Sequence, residues 1–240
     1  MDRAQLDADL ARLVTRLQAA DAPTGSALLY GSAVRGEWIA TRSDVNLLLV
    51  MDDASPEGLR RLAGAVSEWH RAGHTAPLII GREEWQRSVD VFPIEMTDMQ
   101  LSYRLLYGSD PLADVRVAPS DLRRALESEL RGKLVRLRQA YVRFGESMVT
   151  LGGFATASVG QLLVLFRCTG ALLGRPMGAT AAETVAQLAD VLGDDAAVVT
   201  EIAGHRAEPE WHCPPATFAR YLEAVRRAVE FIDHYPQGDA

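Results

Sequence analysis

The strongest constraint on this chain lies in residues 27–51, ALLYGSAVRGEWIATRSDVNLLLVM. Two apolar runs, 27–30 and 45–51, are rich in Leu and Val and short enough to be buried strands. Between them stand Gly31-Ser32, and Asp44 and Asn46 flank Val45. Side chains alternate along a strand, so Asp44 and Asn46 share one face while Val45 and Leu47 take the other. A carboxylate and an amide are thereby expected side by side at the head of a strand, close to a small-residue turn.

The rest of the first half alternates helix and strand signals. Leu6, Leu10, Leu13, Val14 and Leu17 recur at helical spacing, which predicts an amphipathic helix over 3–20, ended by Ala22-Pro23-Thr24-Gly25. Strands are expected at 26–30, 44–51 and 75–80, with a short helix from Ser32. Ser55-Pro56-Glu57 reads as an N-cap and first turn of a helix reaching about Arg71. Another short helix is expected over 82–88. A fourth strand is expected over 90–98 (DVFPIEMTD), at an edge or bulged, because Pro93 cannot donate to a ladder.

After Gly108 the strand-like runs stop. Leu122, Leu126, Leu130, Leu134, Leu137, Tyr141, Phe144 and Met148 step by three or four, which predicts one long helix from Ser120 or Asp121, broken at Gly152-Gly153. Further helices are expected at 154–173, 181–192, 195–204 and 216–234. The fold class is therefore α/β, a small mixed-sheet domain over 1–115 followed by an all-helical domain over 116–240.

Gly31-Ser32, eleven intervening residues and then Asp44-Val45-Asn46-Leu47 resemble the signature of the DNA polymerase β-like nucleotidyltransferase superfamily. The flanks are similar too: Arg35-Gly36 after the turn, Ser43 before the Asp, and the apolar run after it. An α/β half followed by helices resembles the small bacterial members, including aminoglycoside nucleotidyltransferases. The resemblance covers about 26–98 by motif and the remainder by architecture alone. It implies Mg²⁺-dependent transfer of a nucleoside monophosphate from a nucleoside triphosphate to a small-molecule or protein acceptor. Asp44 and Asn46 would hold metal, with Glu95 completing the cluster and Asp98 and Asp90 as its competitors. Gly31, Ser32, Arg35, Arg42 and Ser43 would seat the triphosphate. The family pattern has a second acid where this chain has Asn46. A neutral amide oxygen can ligate a cation but brings one less negative charge to a site that Mg²⁺ holds with only one or two carboxylates.

Other polar residues are weighed in the same way. Lys133 borders the buried stripe of the long helix and is a candidate to reach a triphosphate, whereas Arg123, Arg124, Arg131, Arg136, Arg138 and Arg143 read mostly as a solvated face. His205, His212 and Cys213 lack zinc spacing and read as a loop. His70 and His74 read as caps of a helix end, Trp69 and Trp85 as packing, Asp52-Asp53 as a polar turn, and Cys168 as buried and inert. Glu183, Asp190, Asp194, Asp195 and Glu201 could attract a cationic acceptor.

A net charge of −7 argues against nonspecific binding of nucleic acid as the main task. Two cysteines suit a reducing compartment. No apolar signal core and no uninterrupted apolar run of about 18–20 residues is read in the sequence, so a cytoplasmic, non-membrane protein is expected, with homo-oligomerisation left open. Against the enzyme stands a second class, a catalytically silent nucleotide-binding or regulatory protein of the same fold, including antitoxin-like members. Asn46 favours that class.

Overall fold

Three of the four expected strands form where the apolar runs lie in the computed structural model, which describes residues 2–19, 24–40, 42–208 and 210–236. Two compact units divide the chain: Met1–Phe92 with Met99–Arg116, and Pro93–Asp98 with Val117–Ala240. In chain order the first half runs α1 (Arg3–Ala19), β1 (Thr24–Tyr30), α2 (Ser32–Arg35), β2 (Asn46–Met51), α3 (Pro56–Arg71), β3 (Leu78–Gly81), α4 (Arg82–Arg87), α5 (Pro93–Leu101) and β4 (Tyr103–Gly108). The helix break expected at Ala22-Pro23 lies outside the described residues.

The sheet order is β3-β2-β1-β4. β1 is antiparallel to β2 and to β4, and β3 is parallel to β2, so the sheet is mixed. The parallel pair needs a crossover, which α3 supplies. Ser55 caps that helix by accepting the Gly58 N–H at 3.3 Å, with Pro56 in the first turn. Ala27 and Leu29 of β1, Val45, and Leu47, Leu49 and Met51 of β2 share one core with Leu6, Leu10, Leu13 and Leu17 of α1 and Leu62, Ala65 and Trp69 of α3. Each fully buried leucine contributes about 1.5–3 kcal/mol, so the two helices hold this face of the sheet by their apolar stripes.

A buried polar cluster ties α1 to the end of α3. Asp9 and His74 are both buried, and His74 Nε2 lies 2.8 Å from Asp9 Oδ2. Gln5 Nε2 donates to Asp9 Oδ1 at 2.8 Å, and Arg12 donates to the same oxygen. The His74 ring stacks on Trp69 at 3.7 Å, and Trp69 Nε1 donates to the Thr75 carbonyl at 2.8 Å. Thus His74 is a buried staple between elements, whereas His70 Nδ1 approaches the His74 carbonyl at 3.3 Å, close to the helix end. Trp85 is likewise packing, its Nε1 donating to Pro111 O at 2.8 Å.

The fourth strand falls elsewhere than expected. Residues 93–101 form α5, with Pro93 in its first turn and Thr97 Oγ1 donating back to Pro93 O at 2.7 Å. Ile94, Met96, Thr97, Asp98 and Met99 are all buried, so the segment lacks a one-faced helical stripe and its apolar run reads as a strand. The edge strand is β4, whose half-exposed residues Tyr103, Leu106 and Tyr107 carry a weak strand pattern.

The second unit continues with α6 (Pro119–Phe144), α7 (Met148–Leu172), α8 (Ala181–Gln187), α9 (Ala189–Leu192), α10 (Ala197–Gly204) and α11 (Pro215–His234). Leu122, Leu126, Leu130, Leu134 and Leu137 of α6 join Leu151, Ala155, Val159, Leu162 and Phe166 of α7 and Phe218, Tyr221, Val225 and Ile232 of α11 in one core. The break comes at Gly145-Glu146-Ser147, and α7 runs through Gly152-Gly153. Ser147 caps α7 by accepting the Thr150 N–H at 3.4 Å. Gly152 is needed for close approach instead: a Cβ there would stand 1.8 Å from the Trp211 carbonyl oxygen, while one on Gly153 meets nothing within 4 Å. Cys213 N donates to Met148 O at 3.0 Å across the same junction. Cys213 is buried and His212 exposed, and burial with nearby Glu201 pushes the Cys213 thiol up to about 11. By length and composition α7 could cross a membrane, but half of its apolar window is buried against the protein, as in a core helix.

Two outcomes follow from these contacts. Gly152→Ala is expected to destabilise the protein by about 1–3 kcal/mol through overpacking, while Gly153→Ala stabilises it by up to about 1 kcal/mol; chemical denaturation of both variants checks this. The second concerns Asp9. Its burial opposes ionisation, yet hydrogen bonds with His74 and Gln5 and the charges of Arg12 and His74 hold the carboxyl below the usual range. A depressed folded pKa contributes stability above the unfolded value and loses it as pH falls through the folded one. Asp9→Asn therefore costs about 1–3 kcal/mol near neutral pH, and the gap to the parent closes below about pH 4, read by urea unfolding across pH.

Candidate functional site

The site is built where β1 ends and β2 begins. Tyr30 pairs with Asn46 across the two strands. The chain then turns sharply at Gly31, whose φ of 78° and ψ of −151° belong to backbone that essentially glycine alone adopts. Gly31 O accepts from Val34 N at 3.0 Å and Arg35 N at 3.2 Å, which starts the single turn of α2. Gly36, with φ 84°, ends it.

Asn46 lies directly over the turn. A Cβ on Gly31 would stand 2.8 Å from Asn46 Nδ2 and 3.8 Å from its Cγ. Val45 and Leu47 are buried with the α1 and α3 stripe, while Asn46 is half-buried and Asp44 exposed. The expected alternation is thus present, although β2 begins at Asn46 and Asp44 precedes the strand. Two residues of extended chain span at most about 7 Å, so the carboxylate remains within reach of the turn. Ser32, Asp44 and Asn46 make no side-chain hydrogen bond or ion pair among the described residues.

The neighbouring candidates are differently employed. Ser43 organises the preceding loop: its Oγ accepts from Ile39 N at 3.1 Å, its carbonyl accepts from Trp38 Nε1 at 3.0 Å, and its N–H donates to Ile39 O at 2.7 Å. Arg35 and Arg42 are also engaged in interactions within the protein. Arg3, which no sequence signal marks, reaches from α1 to donate to the Ala33 carbonyl of α2 at 2.5 Å. Trp38 is a second contributor that sequence spacing missed.

Glu95 occupies the first turn of α5 as an exposed side chain, in place of the strand position expected for it. Asp98 is buried and engaged, and Asp90 is exposed in the turn before α5. Lys133 donates to Gln161 Oε1 of α7. Glu95, Asp98 and Lys133 belong to the second unit, and Gly31, Ser32, Asp44 and Asn46 to the first. Among the described residues no three His, Cys, Asp or Glu side chains gather into a metal-sized group.

Most acids expected to attract a cationic acceptor are already employed. Asp190 pairs with Arg175 at 2.7 Å, Asp195 with Arg220 at 3.0 Å, and Glu201 approaches Arg220 at 3.9 Å. Glu183 closes the cap of α8 on Thr180. Asp52 pairs with Arg82, and Asp53 accepts from Ser55 N at 2.9 Å, so both order the turn before α3.

No protein-family model matches the chain, and no curated protein matches it in sequence.

Gly31→Ala tests the local geometry. The backbone conformation alone costs a side-chain-bearing residue about 1–3 kcal/mol, and the added methyl must also displace Asn46. Asn46→Ala in the same molecule is expected to relieve the clash but leave the backbone cost, so the double variant recovers only part of the lost stability, as a thermal unfolding cycle reads.

Proposed function

We propose that the turn at Gly31, with Ser32, Asp44 and Asn46, seats the phosphates of a nucleoside triphosphate together with Mg²⁺, in a nucleotidyltransferase-like first unit. The observation that supports this most is a group of polar side chains, Ser32, Asp44 and Asn46, that make no side-chain hydrogen bond or ion pair among the described residues, gathered at a turn where only a glycine leaves room for the Asn46 amide. A hydroxyl and the N–H groups of a tight turn suit phosphate oxygens. An exposed carboxylate next to an anion is repulsive unless a cation stands between them.

The donor set is chemically suited to that cation. Mg²⁺ takes hard oxygen ligands and is commonly held by one or two carboxylates, with waters and substrate phosphates completing its shell. Asp44 would supply the carboxylate and Asn46 an amide oxygen, both from the first unit. Bound there, the ion would offset phosphate charge. The reaction on this reading joins an acceptor hydroxyl of a small molecule or protein to the α-phosphorus and releases pyrophosphate. The acidic net charge of −7 suits a protein acting on such acceptors rather than on nucleic acid.

The competing reading is a nucleotide-binding or regulatory protein of the same fold, antitoxin-like members included, that binds without turnover. Asn46 favours it, because the amide removes one of the charges that concentrate Mg²⁺.

One experiment separates the two. The purified protein, Asp44→Asn and Asn46→Asp are each incubated with Mg²⁺ and labelled triphosphates, and bound nucleotide and released pyrophosphate are measured. Turnover by the native protein, reduced about a hundredfold or more in Asp44→Asn and raised in Asn46→Asp, supports the enzyme. Binding without release in the native protein supports the silent reading. Absence of nucleotide binding in all three would sink both.

A further inference from the structure

We infer that the outer face of α6 between Val135 and Val142 docks an acidic amphipathic helix of a partner protein. The inner face of α6 is satisfied by the core of the second unit through Leu122, Leu126, Leu130, Leu134 and Leu137. The opposite face carries Ser128, Gly132, Val135, Gln139 and Val142, spaced 4, 3, 4 and 3, the repeat of a coiled-coil seam. Val135 is 45 % exposed and Val142 87 % exposed. A β-branched residue is a middling helix former that usually sits in a helix because its side chain packs. Gly132 has open space where a Cβ would be, so nothing within the second unit explains a glycine in the middle of this helix. Close approach by another helix would.

Charge decides which helix. Seven residues apart on each side of the seam lie Arg131 and Arg138, and Arg136 and Arg143. Elsewhere the arginines are largely neutralised: Arg123 by Glu127, Arg175 by Asp190, Arg220 by Asp195 and Arg226 by Glu223. Arg131 follows that rule, pairing with Asp233 at 2.8 Å. Arg136 and Arg138 make no hydrogen bond or ion pair among the described residues, and Arg143 lies over its neighbour Phe144. In a chain of net charge −7, uncompensated guanidinium groups are thus collected beside two exposed valines. The complementary surface has aliphatic side chains at its own seam positions and Asp or Glu at the flanking ones. A second copy of this face would set arginine against arginine. A bilayer surface suits broad faces rich in Trp, Phe and Leu, not a strip interrupted by Ser128, Gly132 and Gln139.

The test uses the full chain and a fluorescent helical peptide of about four heptads, with Leu at its seam and Glu at its flanking positions. A second peptide carries Lys in place of Glu. Fluorescence anisotropy is expected to show binding of the acidic peptide only, weakened about tenfold or more by Arg136→Glu with Arg138→Glu and likewise weakened by Val135→Ser with Val142→Ser. These are surface substitutions, and unchanged circular dichroism verifies the fold. The inference is overturned if the acidic peptide fails to bind, or binds equally to the charge-reversed chain. It is equally overturned if sedimentation shows that the unmodified chain self-associates through this face, with the association abolished by the valine substitutions. Co-sedimentation with phosphatidylserine vesicles that depends on the same residues, without peptide binding, would reassign the face to a membrane.

Discussion

Tyr30 stands opposite Asn46 in the central strand pair, and that register position decides where the polar residues of the first unit lie. A slip by one residue would exchange the two faces of β2, sending Asn46 into the core and Leu47 out of it. Ala27, Leu29, Leu47 and Leu49 prevent this because all four meet the leucines of α1 on one side of the sheet. The same register brings the Asn46 amide over Gly31. Hydrophobic burial on one face of the sheet is therefore what positions a polar constellation at the end of the other.

Short-range chemistry made much of this legible. The Val45, Leu47 and Asn46 alternation, the Ser55-Pro56 helix start and the stripe of α6 are each carried by a few consecutive residues, and each took the form its pattern implies. Failures occurred where a neighbour distant in sequence decides. Gly152 reads as a breaker until the backbone at Trp211 is seen to cross it. Residues 93–101 read as a strand because a helix buried nearly all round loses its amphipathic period. His74 reads as a cap because Asp9, its partner, lies 65 residues away. Within the candidate site the turn and the strand head were legible. Arg3 and Trp38 were not, since a long side chain reaching across elements leaves no spacing signal.

Partner satisfaction divides the polar groups of the first unit. Asp9, Asp52, Asp53 and Asp110 each accept from a named donor, and each fixes a helix end, turn or loop. Ser43 and Trp38 do the same for the loop that leads into β2. Asp44 and Asn46 follow immediately and hold nothing in place. The exposed Asp44 carboxylate costs little, because water solvates it, but it also contributes little to the fold. Asn46 stands beside Gly31, whose backbone conformation essentially glycine alone adopts.

The same criterion reaches the second unit with the sign reversed. There the uncompensated groups are cations, and they flank valines instead of a glycine turn. Arg123 shows what α6 does with an arginine it needs: the side chain is buried, and it donates to Tyr235 O at 2.9 Å and Asp233 O at 3.0 Å, satisfying carbonyls at the end of α11. Arg136 and Arg138 perform no such service. Solvation of a lone helix face would be met as well by alanine, lysine or glutamate at Val135 and Val142, with better helix propensity. Valines between unpaired arginines are a costly way to face water and an effective way to face a carboxylate-bearing helix. The asymmetry of α6, one face closed by leucines and the other left open, thus has its physical reason outside the chain.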